Sequence, residues 1–269
     1  QVTFPIRAFF GDLLERPRRT KAYPIALLNQ NINLDQLLAI NNAMKYPLAY
    51  IQGPPGTGKT NTILNTIVTA FFNNMTVLFA SYNNVPINNV FEKLSSLTYK
   101  GKRVAFPVLR LGNQEKVKEC ICYINQLRRE VHGIKVFSST LDRRKGDRID
   151  RAKQLSGRLK EYEEVLDLTE RKETLTQVME YQERMKNVAT LFHFHTDLQG
   201  RQLRNLDEKI QKIGEISERD AMALLDRNED EFYSYLYYTS AKYIKELESN
   251  RFQDLRKILD DDEDVNELT

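Results

Sequence analysis

Long apolar runs are missing from this 269-residue sequence, so no segment is expected to cross a membrane and no membrane partner is expected. We expect no leader peptide and a cytoplasmic protein. Cys120 and Cys122 are the only cysteines, and their close spacing excludes a disulfide that closes a useful loop. Histidine is also scarce: His193 and His195 have no third ligand nearby, which argues against a metal site. Because the chain begins at Gln1 without a methionine, we expect a piece of a longer protein.

Proline is absent from the second part of the chain, since all eight prolines precede residue 108. Residues 113–269 are highly charged and carry apolar residues at three- and four-residue spacing, namely Ile149, Ala152, Leu155, Leu159, Tyr162 and Leu166. This pattern predicts a long antiparallel helical hairpin or small bundle with coiled-coil character. Further helices are expected at 198–213, from a capping sequence at Ser217 to Asp220, and at 230–259.

Aromatic residues are concentrated near the end of the helical part, at Phe232, Tyr233, Tyr235, Tyr237 and Tyr238. Such a cluster could stack on nucleic-acid bases. One helix face, however, carries Phe232, Leu236, Tyr243 and Leu247, and this spacing favours packing in a core.

Charge divides the chain at about the same place as proline does. Residues 1–112 hold 12 Lys and Arg against 4 Asp and Glu, whereas residues 113–269 hold 28 against 33. A basic first part suits a polyanionic ligand. Its local cluster of Arg16, Arg18, Arg19 and Lys21 is either a solvated face or a nucleic-acid contact.

The basic part contains a phosphate-binding loop of the form G-x-x-x-x-G-K-[ST], written Gly53-Pro54-Pro55-Gly56-Thr57-Gly58-Lys59-Thr60. Glycines allow positive φ and a close approach of the backbone to phosphates. Consecutive N–H groups at the start of a helix then bind the anion. Lys59 would reach the β- and γ-phosphates of ATP, and the Thr60 hydroxyl would hold Mg²⁺.

The segments around the loop predict a parallel sheet. Buried strands are expected at 48–51, 76–80 and 104–111, and helices at 33–45, 60–74 and from about 84 to 97. Strands that alternate with helices at this spacing favour βαβ units. Small polar residues crowd the end of the second strand at 81–89, where a ligand of an open α/β sheet would bind.

Three segments together resemble the superfamily 1B helicases, the group that includes the helicase of nonsense-mediated decay. Gln36 precedes Gly53 by 17 residues, as the Q-motif glutamine precedes the phosphate loop in that family. The stretch 81–90 is similar to its motif Ia, and Leu109-Arg110-Leu111-Gly112 is similar to its V-V-R-L-G segment. The resemblance covers about residues 33–113.

The resemblance implies roles for individual residues. Gln36 would hydrogen-bond the adenine edge, and Ser81, Asn83 and Asn84 would contact the backbone of single-stranded DNA or RNA. The implied nucleotide-binding residues are Gln36, Gly53, Pro54, Pro55, Gly56, Thr57, Gly58, Lys59, Thr60 and Asn61, with Lys59 and Thr60 in the catalytic role. A second RecA-like domain and a protein partner of the helical part would complete the assembly.

The expected fold is therefore α/β: a partial RecA-like sheet with a large helical insertion. It divides into an irregular segment at 1–32, the ATPase core at 33–113 and the insertion at 114–269. One element of a helicase is missing, because no apolar strand precedes an Asp-Glu pair; the acidic run 260–264 reads as a solvated tail. We therefore expect weak ATP hydrolysis by this chain alone. A ring-forming AAA-type ATPase and a non-catalytic interaction module are the alternatives.

Overall fold

A computed structural model describes residues 22–28, 31–112, 114–186, 196–213, 218–225 and 229–250. Helices dominate these residues, and a single two-stranded sheet accompanies them there. The elements, in chain order, are α1 (Leu34–Lys45), α2 (Lys59–Phe72), α3 (Asn84–Ser95), β1 (Thr98–Tyr99), β2 (Lys102–Arg103), α4 (Gln114–His132), α5 (Ser138–Lys186), α6 (Thr196–Ile213), α7 (Glu218–Ala223) and α8 (Glu229–Asn250).

Helix α1 begins where its capping sequence predicts. The Asn33 side chain accepts a hydrogen bond from the Gln36 backbone N–H at 2.9 Å, and the Gln36 side chain accepts one from the Asn33 N–H at 3.2 Å. This reciprocal pair satisfies two N–H groups that a helix start otherwise leaves without a partner. Leu37, Ile40 and Met44 then form the buried face of the helix.

The predicted parallel sheet is not formed among the described residues. Segments 48–51 and 76–80 carry no strand hydrogen bonds, and Tyr50 and Leu78 expose 85% and 87% of their surface. A parallel sheet is stable when both of its faces are covered. Here these apolar residues face solvent, so that condition fails.

The third predicted strand, 104–111, is also wrong as a strand within the described chain. The Val104 N–H donates to the Leu97 carbonyl at 2.8 Å, next to the hairpin described below. Beyond it the backbone makes short local hydrogen bonds, from the Phe106 N–H to the Val104 carbonyl and from the Val108 N–H to the Phe106 carbonyl, each at 2.8 Å. These i to i+2 bonds are those of γ-turns. Pro107 between them has no N–H to give to a sheet ladder.

The sheet that does form is a tight hairpin that sequence patterning did not predict. Thr98 pairs with Arg103, and Tyr99 pairs with Lys102. The turn residues Lys100 and Gly101 have φ of 49° and 74°. Positive φ at both central positions belongs to the turn whose twist suits a two-residue hairpin.

The residues before α1 are tied to α2 by three polar side chains on one face of that helix. The Thr69 hydroxyl bonds both the N–H and the carbonyl of Ala26, at 3.1 and 3.0 Å. Asn65 accepts from the Leu28 N–H at 2.9 Å, and Asn73 donates to the Pro24 carbonyl at 3.0 Å. Residues four apart on a helix share a face, so these three line up along the extended segment.

The largest apolar cluster joins α2 and α3 to α8, and it includes Val68, Phe72, Leu94, Phe232 and Leu236. The Phe72 ring stacks on Tyr235 at 4.9 Å between centroids. Core packing is thus confirmed for the aromatic cluster of α8, where Phe232 and Tyr235 are buried. Tyr243, which the sequence placed on the same core-facing side, is 40% exposed and is therefore only partly packed in the core.

The predicted helices of the second part are confirmed where they are described, with α5 running 49 residues. Helices α5 and α6, here called the arm, contact each other, and Lys172 pairs with Asp207 at 2.6 Å between them. Whether the arm is a coiled-coil insertion stays a prediction.

No described helix is long and apolar enough to span a membrane. The basic cluster 16–21, Ser217, His193, His195 and the acidic run 260–264 lie outside the described residues.

Candidate nucleotide and nucleic-acid site

The glycine turn at 53–58 is exposed and leads directly into α2. Gly56 and Gly58 have φ of 84° and 77°, in the left-handed region that L side chains rarely adopt. Gly58 is the residue that caps α2, and no side chain caps the helix in its place. The first turn of α2 therefore faces the loop with its N–H groups and its positive dipole end.

The turn is closed by bonds within itself. The Thr57 hydroxyl donates to the Pro54 carbonyl at 2.8 Å. A Cβ on Gly53 would lie 2.7 Å from the Thr57 hydroxyl oxygen and 3.2 Å from Lys59 Cγ. Glycine suits position 53 because the Thr57 and Lys59 side chains occupy the space that a Cβ would need.

Lys59 lies over the turn with its ammonium group against two carbonyl oxygens. Its Nζ donates to Gly53 at 2.6 Å and to Pro54 at 2.7 Å. Its side chain is exposed. Phosphate oxygens are stronger acceptors than these carbonyls for a charged donor, so the same ammonium group could serve an anion in the turn.

Gln36 reaches the loop from α1. Its Nε2 donates to the Thr57 carbonyl at 2.7 Å, and a Cβ on Gly58 would lie 2.7 Å from that same nitrogen. The structure therefore brings the Q-motif position and the phosphate loop into direct contact. The glutamine is also held on its other side by Asn33, through the capping pair of α1.

Thr60 and Asn61 lie in the first turn of α2, where Thr60 is exposed and Asn61 is half-buried. Within the described ranges, no group of three or more His, Cys, Asp and Glu could hold a metal ion. Mg²⁺ at nucleotide sites takes few protein oxygens and relies on the phosphates. The Thr60 hydroxyl fits that role as one oxygen ligand.

The predicted nucleic-acid residues lie together at the start of α3. Ser81, Asn83 and Asn84 are all exposed, and the Asn83 N–H donates to the Ser81 hydroxyl at 3.4 Å. Their hydroxyl and amide groups can therefore reach a ligand from solvent. Contacts of this kind bind phosphate and sugar without reading sequence.

The contacts of Arg110 with two asparagines of α3 were not predicted from the sequence. Its guanidinium donates to the Asn84 side-chain oxygen at 2.9 Å and to the Asn88 side-chain oxygen at 3.1 Å. These two asparagines are four residues apart on α3, which matches the fork of the guanidinium. The signal lay in the amide spacing, but the distance of 26 residues between Asn84 and Arg110 concealed it.

Comparison with known proteins places the chain in a family. The profile of the AAA_11 family, described as an AAA domain, matches residues 31–232. This stretch covers the phosphate loop, the Ser81–Asn84 segment and most of the helical part. The chain belongs to the AAA_11 family. Membership implies a P-loop fold and confirms the resemblance to superfamily 1 helicases.

Curated relatives of this AAA_11 chain are named as helicases or DNA-binding proteins. DNA-binding protein SMUBP-2 of Mus musculus is 31% identical over 36% of this chain and 9% of its own length. DNA replication ATP-dependent helicase/nuclease JHS1 of Arabidopsis thaliana is 31% identical over 41% and 9%. DNA polymerase alpha-associated DNA helicase A of Saccharomyces cerevisiae (strain ATCC 204508 / S288c) is 27% identical over 52% and 19%. The matched part is thus at most about a fifth of these relatives. No solved structure gives a significant match.

Proposed function

We propose that this chain binds ATP and Mg²⁺ at Gly53–Thr60 and single-stranded DNA or RNA at Ser81–Asn84, as part of an ATP-dependent helicase or translocase. One observation carries the proposal. An exposed glycine turn caps the 14-residue helix α2, with Lys59 across its mouth and Gln36 against its backbone. Anion binding at such a helix start follows from its free N–H groups and its dipole.

In this proposal each residue has a separate task toward the nucleotide. The N–H groups of the turn bind the phosphates, and the Lys59 ammonium moves from the Gly53 and Pro54 carbonyls to the β- and γ-phosphate oxygens. Thr60 supplies one oxygen to Mg²⁺, which neutralises charge on the phosphates when it is bound. Gln36 presents its amide to the adenine edge from the side of α1.

The nucleic acid would cross the start of α3, where three exposed polar side chains lie in sequence. Arg110 holds Asn84 by its side-chain oxygen, which leaves the amide nitrogen of Asn84 to donate to a phosphate. The names of the relatives support a nucleic-acid ligand, and the basic balance of residues 1–112 agrees with it.

The wider assembly belongs to the same proposal. It comprises the division at residues 1–32, 33–113 and 114–269, a second RecA-like domain and a protein partner for the arm. The cytoplasm is the proposed location. We also propose slow ATP hydrolysis by this chain alone, because its sequence offers no Asp-Glu pair after an apolar strand.

Titration of the chain with a fluorescent ATP analogue tests the proposal. Lys59→Ala should weaken binding at least about tenfold, since it removes a charge worth ~1.4 kcal/mol or more against the phosphates. Lys153→Ala is the matched control, because that lysine is 64% exposed on α5 and pairs with Asp150. Equal affinity of the Lys59→Ala variant and the parent would refute the assignment.

A further inference from the structure

The arm touches the helix that carries Gln36. The Tyr162 hydroxyl, on α5, donates to an Asp35 carboxylate oxygen at 2.8 Å. The two residues are 127 positions apart in the chain. Asp35 immediately precedes Gln36 in the first turn of α1.

Apolar packing places this contact. Leu155 and Leu159 of α5 are buried in one cluster with Leu37 and Ile40 of α1. Tyr162 follows Leu159 by three residues and Leu155 by seven, so the three side chains lie on one face of α5. The leucines anchor α5 on α1, and the anchored helix brings the tyrosine hydroxyl to the end of α1 that faces the loop.

From Asp35 the path to the nucleotide turn is short. Gln36 is held by the Asn33 backbone on one side and contacts the Thr57 carbonyl at 2.7 Å on the other. The carboxylate of Asp35 is the only acidic group in the first turn of α1. Fixing that carboxylate from the arm restrains the turn in which Gln36 lies.

We infer that Tyr162 is a positioning residue for the nucleotide base: its hydrogen bond to Asp35 orients the first turn of α1 and with it the Gln36 amide. The inference rests on the proposed nucleotide site and adds the arm to it. A ligand that moves α5 would then alter the selectivity for adenine, while the phosphate contacts of the Lys59 turn would stay as they are.

Affinities for ATP, GTP and inorganic tripolyphosphate, measured on the full chain, separate base contacts from phosphate contacts. Tyr162→Phe removes only the hydroxyl and should lower the preference for ATP over GTP about three- to tenfold, as expected for the net loss of one exposed hydrogen bond. Tripolyphosphate affinity should not change, and the thermal midpoint should fall by no more than about 4 °C, as expected for the loss of one hydrogen bond. Tyr181→Phe is the control, since this tyrosine lies on the same helix and is 62% exposed.

A double-mutant cycle with Asp35 completes the test. Asp35→Ala should cause the same loss of preference, and Tyr162→Phe in that background should add nothing further. Asp35→Asn keeps an acceptor oxygen and should restore most of the preference.

An unchanged ATP-to-GTP ratio in Tyr162→Phe, in a parent that prefers ATP, would overturn the inference alone. Equal weakening of all three ligands together with a larger fall in the thermal midpoint would do the same, because it shows a structural role. A parent that binds none of the three ligands would overturn the proposed function and this inference with it.

Discussion

The glycine turn at 53–58 and the polar segment at 81–84 are both exposed and both open a helix, but different contacts hold them. The turn is shaped by positive φ at Gly56 and Gly58 and by bonds to its own carbonyls. The polar segment has few bonds of its own, and Asn84 depends on a guanidinium 26 residues away. Local chemistry therefore shapes the first region, to which Gln36 adds one contact from 21 residues away, whereas a remote side chain alone orients Asn84 in the second.

The largest effect should come from the turn itself. Gly58→Ala forces a Cβ into the left-handed region and to within 2.7 Å of Gln36 Nε2, so Gln36 must leave the Thr57 carbonyl. We expect a loss of about 1–2 kcal/mol in the free energy of unfolding. Binding of an ATP analogue should weaken at least about tenfold, because the Gln36 contact and the turn geometry are lost together. Chemical denaturation and fluorescence titration measure the two effects.

Gly157→Ala controls for the added methyl group. Gly157 lies inside α5 and has nothing within 4 Å of a built Cβ, so alanine should stabilise the helix by up to about 1 kcal/mol. Nucleotide affinity of this variant should equal that of the parent. If Gly58→Ala bound the analogue as tightly as Gly157→Ala, nucleotide binding would not depend on the backbone geometry of the glycine turn.

The polar segment should respond to a change at a distance. Arg110→Ala leaves the Asn84 and Asn88 side chains without their shared donor, so their orientation is lost. We expect about tenfold weaker binding of single-stranded DNA or RNA at low salt and no change in nucleotide affinity. Filter binding measures the nucleic-acid affinity, and titration of the same preparation with nucleotide measures the nucleotide affinity.

Arg110→Lys sharpens that result. A lysine keeps the charge but lacks the planar fork, so it should not restore the lost affinity. Arg158→Ala, on α5 and paired with Glu161, is the control for the loss of one positive charge. Full recovery with lysine would mean that charge matters here and that the orientation of the asparagines does not.

The smallest effect concerns the far end of α1, where Lys45 meets α5. Burial is the main cause that lowers the pKa of Lys45, and the nearby Glu163 opposes it in part. The unfolded chain therefore binds more protons than the folded one between the lowered pKa and 10.5, and stability attributable to this group rises with pH in that window. Lys45→Met should raise the thermal midpoint slightly at pH 7, and the gain should shrink toward pH 10. A gain that grew with pH would contradict this sign.

Features that depend on near neighbours could be predicted from the sequence. Asn33 identifies the start of α1 as an N-cap residue, and Leu155 and Leu159 identify the buried face of α5. The glycine loop indicated a nucleotide site in the same way, and together with Gln36 and the segments at 81–90 and 109–112 it indicated the family. Each of these signals lies within a few turns of one helix or within one loop.

Features that depend on distant contacts could not be predicted. The apolar segments at 48–51 and 76–80 have strand composition, but a strand also needs a neighbour and a cover, and Tyr50 and Leu78 remain exposed. The contacts of Arg110 with Asn84 and of Tyr162 with Asp35 join residues that no sequence period relates.

The three polar side chains that α2 extends to residues 24–28 limit how far the protein can be shortened. Asn65 and Thr69 are almost completely buried, at 1% and 0% exposure. A version that begins after Leu28 would lose the hydrogen bonds that Asn65 and Thr69 make to this peptide, at a cost of about 0.5–1.5 kcal/mol for each bond. A shortened protein for crystallisation or binding studies should therefore retain Tyr23–Leu28. This peptide supplies hydrogen-bond partners to the polar side chains of α2, the helix that follows the phosphate turn.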